Sequence, residues 1–243
     1  MTYAAVPIPD GTWGVDLSSK CTAAILDALA TLDLGIPGST SPRVITRYVG
    51  LGGPAAGDID PAELQLLLEH PANYWLVLVQ HVEAGLWTAD GITGTQHGEH
   101  AAADAIWAGY DPTIYGPLSL CVDMESIKAG TRALDYVHCW LNSISTAKFG
   151  EYVYEGFDAG LSGVELLGLS CPLWSDFGPR ALPWGATFTC KQHPEQRVLG
   201  TPIDPDRYAV DSRGQQVVGL RRVADLVEND PEPHQDPEAT IPA

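Results

Sequence analysis

Two carboxylates at the end of one apolar run are the residues best placed to do chemistry. Residues 120–125 read Leu-Cys-Val-Asp-Met-Glu, so Asp123 and Glu125 are two positions apart. On a β-strand this spacing puts both side chains on one face. If their solvation differs, one carboxyl stays protonated as a proton donor while the other stays ionised, the division of roles that cleavage of a glycosidic bond uses. The alternative is a strand end with two solvated acids, or an Asp that caps the next helix.

The elements that position this pair alternate between strand and helix. The predicted strands of the first part are 12–17, 43–49, 74–82, 120–125 and 150–157. The predicted helices that follow them are 22–32, 60–70, 99–108, 131–147 and 161–169. Three strands without intervening helices are predicted at 171–177, 186–193 and 215–220. This pattern indicates an α/β fold, and we predict an irregular TIM-like (β/α) barrel in preference to an open doubly wound sheet.

Two further acids lie at the ends of predicted strands. Asp16 ends the first strand, and Asp204 lies beyond the seventh, in a loop. In a closed barrel the first and last strands are neighbours, so both acids are expected to meet Asp123 and Glu125 at one mouth. Like charges gathered there raise one pKa, which supplies a protonated acid near neutral pH. The alternative is that Asp16 and Asp204 serve turns and caps, which Asp favours.

Aromatic and polar side chains accompany the same strand ends. Apolar sugar faces stack on aromatic rings, so acids mixed with aromatics are typical of a carbohydrate cleft. The expected substrate-binding residues are Tyr48, Gln80, His81, Tyr154, Trp174, Asp176 and Gln192. Core packing is the alternative explanation for several of the aromatic ones.

Composition excludes several classes of partner. The chain has 31 acidic and 13 basic residues, a formal net charge of −18, which argues against nucleic acid and anionic membranes. No apolar stretch reaches the ~18 residues of a membrane span, and no membrane insertion is expected. No signal peptide is visible, so we expect synthesis in the cytoplasm and, if the protein leaves it, release or export by a non-classical route. A monomer is the default expectation.

The C-terminal segment differs from the rest of the chain. After Arg222 it holds six acids, four prolines and no Lys or Arg, which predicts a disordered tail at 223–243 behind a single barrel domain at 1–222. The five cysteines show no zinc spacing, and buried free thiols are expected. His97 and His100 can share a helix face, but they lack a zincin motif and adjoin a Gly-rich stretch. No metal and no cofactor is expected.

Several short motifs, taken in order, resemble glycoside hydrolase family 25 and its glycoside-hydrolase-like relatives of unknown function. They are Gly-Val-Asp-Leu-Ser-Ser at 14–19, Val-Asp-Met-Glu at 122–125, Tyr-Val-Tyr at 152–154, Pro-Leu-Trp at 172–174, Lys-Gln-His at 191–193 and Ile-Asp-Pro-Asp at 203–206. The resemblance covers residues 11–220. The first two motifs are the most specific of the set.

The resemblance implies an irregular barrel of five β/α units followed by three strands. It implies cleavage of the β-1,4 bond after N-acetylmuramic acid in peptidoglycan, with Glu125 as proton donor. Asp123 would polarise the site or orient the substrate N-acetyl group, and Asp16 and Asp204 match the acids of the first and last strands. The chain departs from the family at residues 80–83, Gln-His-Val-Glu, and at His193, and no cell-wall-binding repeat follows the barrel.

Three functional hypotheses follow. The first is a lysozyme-like muramidase, for example an endolysin, a tail-associated enzyme or a secreted wall-remodelling protein. The second is a non-catalytic carbohydrate-binding barrel, since a fold alone does not imply a function. The third is a hydrolase of another amino sugar polymer that uses the same residues.

Overall fold

The structure is a computed structural model. It describes residues 2–50, 57–80, 87–125, 127–128, 130–155, 160–176 and 181–223. His81, one of the expected substrate-binding residues, and nearly all of the predicted tail lie outside the described residues.

The strands form one sheet that closes into a barrel. The strands are β1 Thr2–Pro7, β2 Trp13–Asp16, β3 Val44–Val49, β4 Trp75–Gln80, β5 Ser119–Asp123, β6 Gly150–Tyr154, β7 Leu173–Ser175, β8 Cys190–Gln192, β9 Gln196–Val198, β10 Thr201–Tyr208 and β11 Val218–Val223. Neighbouring strands β2 to β8 pair in parallel, and β10 lies antiparallel between β8 and β2. These eight strands make the closed ring, so the predicted barrel is confirmed.

Helices connect the parallel strands on the outside of the barrel. The helices are α1 Ala23–Ala30, α2 Pro61–Glu69, α3 Gly91–Ala108, α4 Pro112–Tyr115, α5 Ala133–Thr146 and α6 Gly163–Gly168, with a 3-10 turn at Pro183–Gly185. Five of the strands, β2 to β6, are each followed by a helix, and β7, β8 and β10 complete the ring without one. The implied order of five β/α units and three strands therefore matches the structure.

Three strands, β1, β9 and β10, were not expected from the sequence, and β9 pairs with β10. The predicted strand at 215–220 overlaps β11, but β11 pairs antiparallel with β1 and β4 outside the ring, so the prediction that it is the last of the three strands that complete the barrel was wrong. Strand β10 takes that place. Strand β10 was predicted as a loop, because Pro202 and Pro205 interrupt it and proline cannot donate a ladder hydrogen bond. The strand tolerates Pro205 because the ladder uses its carbonyl, which accepts a hydrogen bond from His193 N at 2.7 Å.

The alternation of side chains along each strand builds two cores. Inward residues such as Val77, Tyr152 and Trp174 fill the barrel, and outward residues such as Leu78 and Val122 pack against the helices. Both sets are buried, so each parallel strand reads as a nearly continuous apolar run. The filled interior leaves the chemistry to the ends of the barrel.

Helix α3 begins at Gly91, well before the predicted start at Glu99. Its first half was taken for a loop because glycine is a poor helix former. Here glycine allows close packing on α5, since a Cβ at Gly94 would lie 2.2 Å from Tyr136 O and one at Gly98 would lie 2.8 Å from Trp140 O. Tertiary packing overrides the local preference, and it brings α3 and α5 together beside the mouth.

The described residues also bear on the cysteines, on metal-binding groups and on membrane-spanning helices. All five cysteines are free thiols, and all but Cys139 are buried. Within the described ranges, no group of three or more His, Cys, Asp or Glu side chains is arranged to hold a metal ion. None of the helices described is both long enough and apolar enough to cross a bilayer.

Candidate active site

The acids predicted from the sequence converge at the end of the barrel where the parallel strands finish. Asp16, Asp123 and Gln192 are the last residues of β2, β5 and β8. Asp204 sits on the antiparallel strand β10 directly opposite Asp16 in the strand register. Because β2, β5 and β8 run in the same direction, their final side chains share one mouth, which is where barrels of this class carry ligands and catalytic groups.

Asp16 is a buried acid with both oxygens hydrogen-bonded. The Tyr48 hydroxyl donates to Oδ1 at 3.3 Å, and Gln192 Nε2 donates to Oδ2 at 3.1 Å. Burial and then the nearby charge of Asp204 raise the pKa of Asp16 to about 8, although these two hydrogen bonds act in the opposite direction. Asp16 is therefore mostly protonated at neutral pH.

The central pair divides into a buried acid and a partly exposed one. Asp123 is 3% exposed, and its Oδ1 accepts a hydrogen bond from Glu125 N at 2.8 Å, which fixes the backbone at the strand end. Burial and the charge of Glu125 raise the pKa of Asp123 well above its ordinary range. The pKa of Glu125 is raised by burial and by Asp176, against a hydrogen bond from Tyr154. Glu125 is thus the accessible member of the pair, with a pKa shifted toward neutrality.

The Tyr154 hydroxyl lies between the side chains of Glu125 and Gln192. Its hydroxyl oxygen lies 3.0 Å from Glu125 Oε1 and 2.9 Å from Gln192 Oε1. A phenol has one proton, so it cannot donate to both acceptors at once. When Glu125 is protonated, it can donate to Tyr154 while Tyr154 donates to Gln192; when Glu125 is ionised, Tyr154 donates to the carboxylate instead. The geometry therefore accommodates both states of Glu125; donation to the carboxylate lowers its pKa, and burial, the larger effect, raises it.

The backbone of Glu125 is held from outside the barrel. Trp87 Nε1 donates a hydrogen bond to Glu125 O at 2.8 Å. The Trp87 ring packs edge-on against Tyr136 of α5, with 4.7 Å between ring centroids, and the Tyr136 hydroxyl lies 3.1 Å from His97 Nδ1 of α3. The close packing of α3 on α5 thus reaches the site. Trp87 was not predicted as part of the site, because it lies between the predicted strand at 74–82 and the predicted helix at 99–108.

Strand β10 contributes two acids rather than one. Burial, then the charges of Glu195 and Glu125, raise the pKa of Asp204 to about 6. Asp206 points to the same face one step deeper and is fully buried, and burial followed by the charge of Asp16 raises its pKa well above its ordinary range. Asp206 was not predicted as a site residue, although its spacing from Asp204 repeats that of Asp123 and Glu125.

The structure does not bring Gln80 to the mouth. Its side chain lies on the outer side of β4, only 1% exposed. Its amide oxygen accepts a hydrogen bond from Trp140 Nε1, and its amide nitrogen donates to the Tyr136 hydroxyl at 3.0 Å. The predicted role of Gln80 in substrate binding does not fit this placement. Its amide therefore joins the barrel to α5, which covers the outward face of β4 at this point.

Trp174 also differs from expectation. It is 1% exposed and lies inside the barrel, with its ring centroid 4.4 Å from that of Tyr154. A buried ring cannot stack on a sugar, so the predicted contact is corrected to a packing role beneath Tyr154. Asp176, two residues further, is buried close enough to Glu125 to raise its pKa, and Tyr48 is half-buried beside Asp16.

Comparisons with known proteins agree with this architecture. The structure is similar to an uncharacterized B. stearothermophilus protein, with 14% identity and a TM-score of 0.61 over 82% of this chain and 96% of that one. It is similar to the CTP1L endolysin, with 15% identity and a TM-score of 0.54 over 81% of this chain and 66% of that one. A muramidase from Acremonium alcalophilum matches with 14% identity and a TM-score of 0.49 over 83% of this chain and 95% of that one.

At the level of sequence, no protein-family model and no curated protein matches the chain. The two structures with TM-scores above 0.5 share 14–15% identity with it, so they show the fold alone. The chain therefore has the same barrel fold as the uncharacterized B. stearothermophilus protein and the CTP1L endolysin.

Proposed function

We propose that this protein is a glycoside hydrolase that cleaves the β-1,4 bond after N-acetylmuramic acid in peptidoglycan. The observation that carries the proposal is the state of Glu125 at the mouth of the barrel. It is half-buried, its pKa is raised, and its contact with Tyr154 accommodates a protonated carboxyl. A protonated acid that substrate can reach is what protonation of a glycosidic oxygen requires.

Tyr154 supports this role after the proton has left. Once Glu125 is ionised, the Tyr154 hydroxyl can turn from Gln192 and donate to the new carboxylate. A hydrogen bond to a charged group is stronger than one to a neutral group, so the contact favours the product of proton transfer. Tyr154 acts here as a positioning residue for Glu125.

Of the remaining acids, Asp123 supplies a neutral hydrogen-bond donor and Asp204 supplies a negative charge. Asp123 has a raised pKa and one oxygen engaged by Glu125 N, so in its protonated form the carboxyl can orient the substrate N-acetyl group, as the family resemblance implies. Asp204, with a pKa of about 6, is largely ionised at pH 7, whereas Asp16, with a pKa of about 8, is largely neutral. Asp204 would stabilise the positive charge that develops on the sugar ring.

Two alternatives make different demands on the same site. A binding barrel without activity needs the mouth to hold a glycan but needs no proton from Glu125. A hydrolase of another amino sugar polymer needs Glu125 in the same role with a different sugar. The second alternative gains some support from Gln80 and Trp174, because burial of both removes two expected contacts for the peptidoglycan sugars.

The test compares wild type with Glu125→Gln on purified peptidoglycan, with released reducing ends measured and fragments identified by mass spectrometry. We expect N-acetylmuramic acid reducing ends from wild type and a loss of about 10²–10⁴-fold in the variant, the usual contribution of a general acid. Glu69→Gln, on the exposed side of α2, makes the same chemical change away from the mouth and should leave the rate unchanged.

Each outcome separates the hypotheses. Release that persists in a folded Glu125→Gln variant would contradict the assigned acid. Glycan binding without release by wild type would favour the binding barrel. Release from chitin oligosaccharides but not from peptidoglycan would favour a different amino sugar polymer.

A further inference from the structure

A polar cavity lies at the base of the barrel, away from the carboxylates of the mouth. It has a volume of about 430 Å³ and is lined in part by Arg43, Arg221, Trp75 and Asp10. Arg43 directly precedes β3, and Trp75 is the first residue of β4. Since the catalytic candidates sit where the parallel strands finish, this cavity is at the opposite end of the barrel.

Among the described residues, the two arginines in this cavity donate to backbone carbonyls. Arg43 Nη1 donates to Ala72 O at 3.5 Å, and Arg221 Nε donates to Asn73 O at 3.2 Å. Neither forms an ion pair with a carboxylate of the described ranges. The chain carries 31 acids against 13 basic residues, so a pair of arginines without an acidic partner runs against its overall charge.

The Arg221 guanidinium is held in place. Its Cζ lies 3.6 Å from the centroid of the Trp75 ring, a stacked arrangement that leaves the edge of the planar group free to donate. Partial burial and then the charges of Arg43 and Arg222 lower the pKa of Arg221, yet an arginine stays protonated near neutral pH. Gathering like charges is unfavourable, and an anion bound between them would relieve the repulsion.

One acidic residue also lies on the described wall of the cavity. Asp10 lines it, and its Oδ1 accepts a hydrogen bond from Val210 N at 3.3 Å. With two arginines against one carboxylate, the described lining carries an excess of positive charge, which is typical of a site for an oxyanion.

We propose that the cavity at the base of the barrel binds a phosphate group between Arg43 and Arg221. Two guanidinium groups carry two positive charges, and a phosphate offers them up to two negative charges on three or more oxygens, whereas a carboxylate offers one charge on two oxygens. The group can belong to free phosphate or to a phosphate ester of a larger molecule. This site is separate from the mouth, so it stands whether or not the protein is a hydrolase.

The experiment is a calorimetric titration of the full-length protein with inorganic phosphate at low ionic strength. We expect saturable one-site binding that weakens by about 10-fold or more in Arg43→Gln and in Arg221→Gln, because each loses a charged fork. The matched control is Arg132→Gln, an exposed arginine that pairs with Asp135 and should bind phosphate as wild type does. Circular dichroism confirms the fold of each variant, and Arg43→Gln keeps the test decisive should loss of the stacked Arg221 disturb folding.

Two further titrations define the ligand. Tighter binding of dimethyl phosphate than of inorganic phosphate would identify a phosphodiester as the source, and the reverse order would identify free phosphate; both support the site. Equal affinity for acetate would overturn the preference for phosphate. No saturable binding, or equal binding by wild type and both cavity variants, would overturn the proposal.

Discussion

Buried acids occur in two settings in this barrel, and the difference between them separates structure from chemistry. Glu63 on α2 is 5% exposed and faces Arg47, which is fully buried on the outer side of β3. Asp16 and Asp123 are buried to the same degree at the mouth, but neither forms an ion pair with a cation of the described ranges. The first setting stabilises a negative charge, and the second favours a proton.

The Glu63 site satisfies every charge it buries. Arg47 Nε donates to Glu63 Oε1 at 2.7 Å, and Arg47 also donates to the carbonyls of Leu17 and Gly57. Cys21 N donates a further hydrogen bond to Glu63 Oε1 at 2.7 Å. A buried ion pair with its remaining hydrogen bonds made is expensive to break, since the partner left behind stays charged and buried. This pair joins helices and strands and does no chemistry.

The first prediction breaks this pair. Glu63→Gln should lower the free energy of unfolding by about 3–5 kcal/mol, because Arg47 stays buried without its counter-charge. Urea denaturation followed by circular dichroism measures the loss. The matched control is Glu69→Gln on the same helix, which is exposed and should change the stability by less than about 0.5 kcal/mol. Equal stabilities of the two variants would contradict a structural role for the pair.

The position of Glu63 in the sequence favours a different role from the one it has in the fold. Asp60, Pro61 and Glu63 have the spacing of a capping box, and Asp60 does cap the helix by accepting from Glu63 N at 2.8 Å. The Glu63 side chain instead turns to Arg47, a partner 16 residues earlier. Local spacing fixes the start of a helix, whereas the use of a side chain also depends on which strand lies beneath it.

The same limit applies to the mouth. Glu125, Asp123 and Asp16 could be found from the sequence because each follows an apolar run that announces a buried strand. Gln80 follows a run of the same kind, yet it belongs to the alternate positions of β4 whose side chains face outward. Which positions face outward depends on the register of the strand in the closed barrel, and a single sequence does not give that register.

Proline and glycine account for most of the remaining differences. Pro202 and Pro205 concealed β10 and with it the position of Asp206, and Gly94 and Gly98 concealed the first half of α3. In each case a residue with a poor local preference occupies a place that tertiary contacts require. The overall barrel was predictable because its pattern of five strands and helices is long enough to outweigh such local exceptions.

The second prediction concerns the mouth and rests on the proposed function. Tyr154→Phe removes the hydroxyl that stabilises the Glu125 carboxylate, so the rate of reducing-end release should fall by about 10-fold or more. Since this hydrogen bond lowers the pKa of Glu125, its loss should also move the alkaline limb of the pH–rate profile to higher pH. The full profile of wild type and variant, measured on peptidoglycan, provides both numbers.

The control for this prediction is Tyr115→Phe, which removes a hydroxyl from the short helix α4, just before the start of β5 and so at the end of the barrel opposite the acids. It should change neither the rate nor the profile. A Tyr154→Phe variant that is slower without any shift of the alkaline limb would show that the ring packs in the site but does not govern the proton on Glu125.

The third prediction is a dependence of stability on pH that Asp16 imposes. The pKa of Asp16 is about 8 in the folded protein against an ordinary value of 3.8, so between these values the folded chain holds a proton that the unfolded chain has released. This contribution to stability is complete below pH ~4 and is lost as the pH rises to about 8, with a slope of at most ~1.4 kcal/mol per pH unit. Asp16→Asn should flatten that part of the curve in urea denaturation at pH 5, 6, 7 and 8. Glu63→Gln should not flatten it. Parallel curves for wild type and Asp16→Asn would mean that Asp16 is ionised in the folded protein.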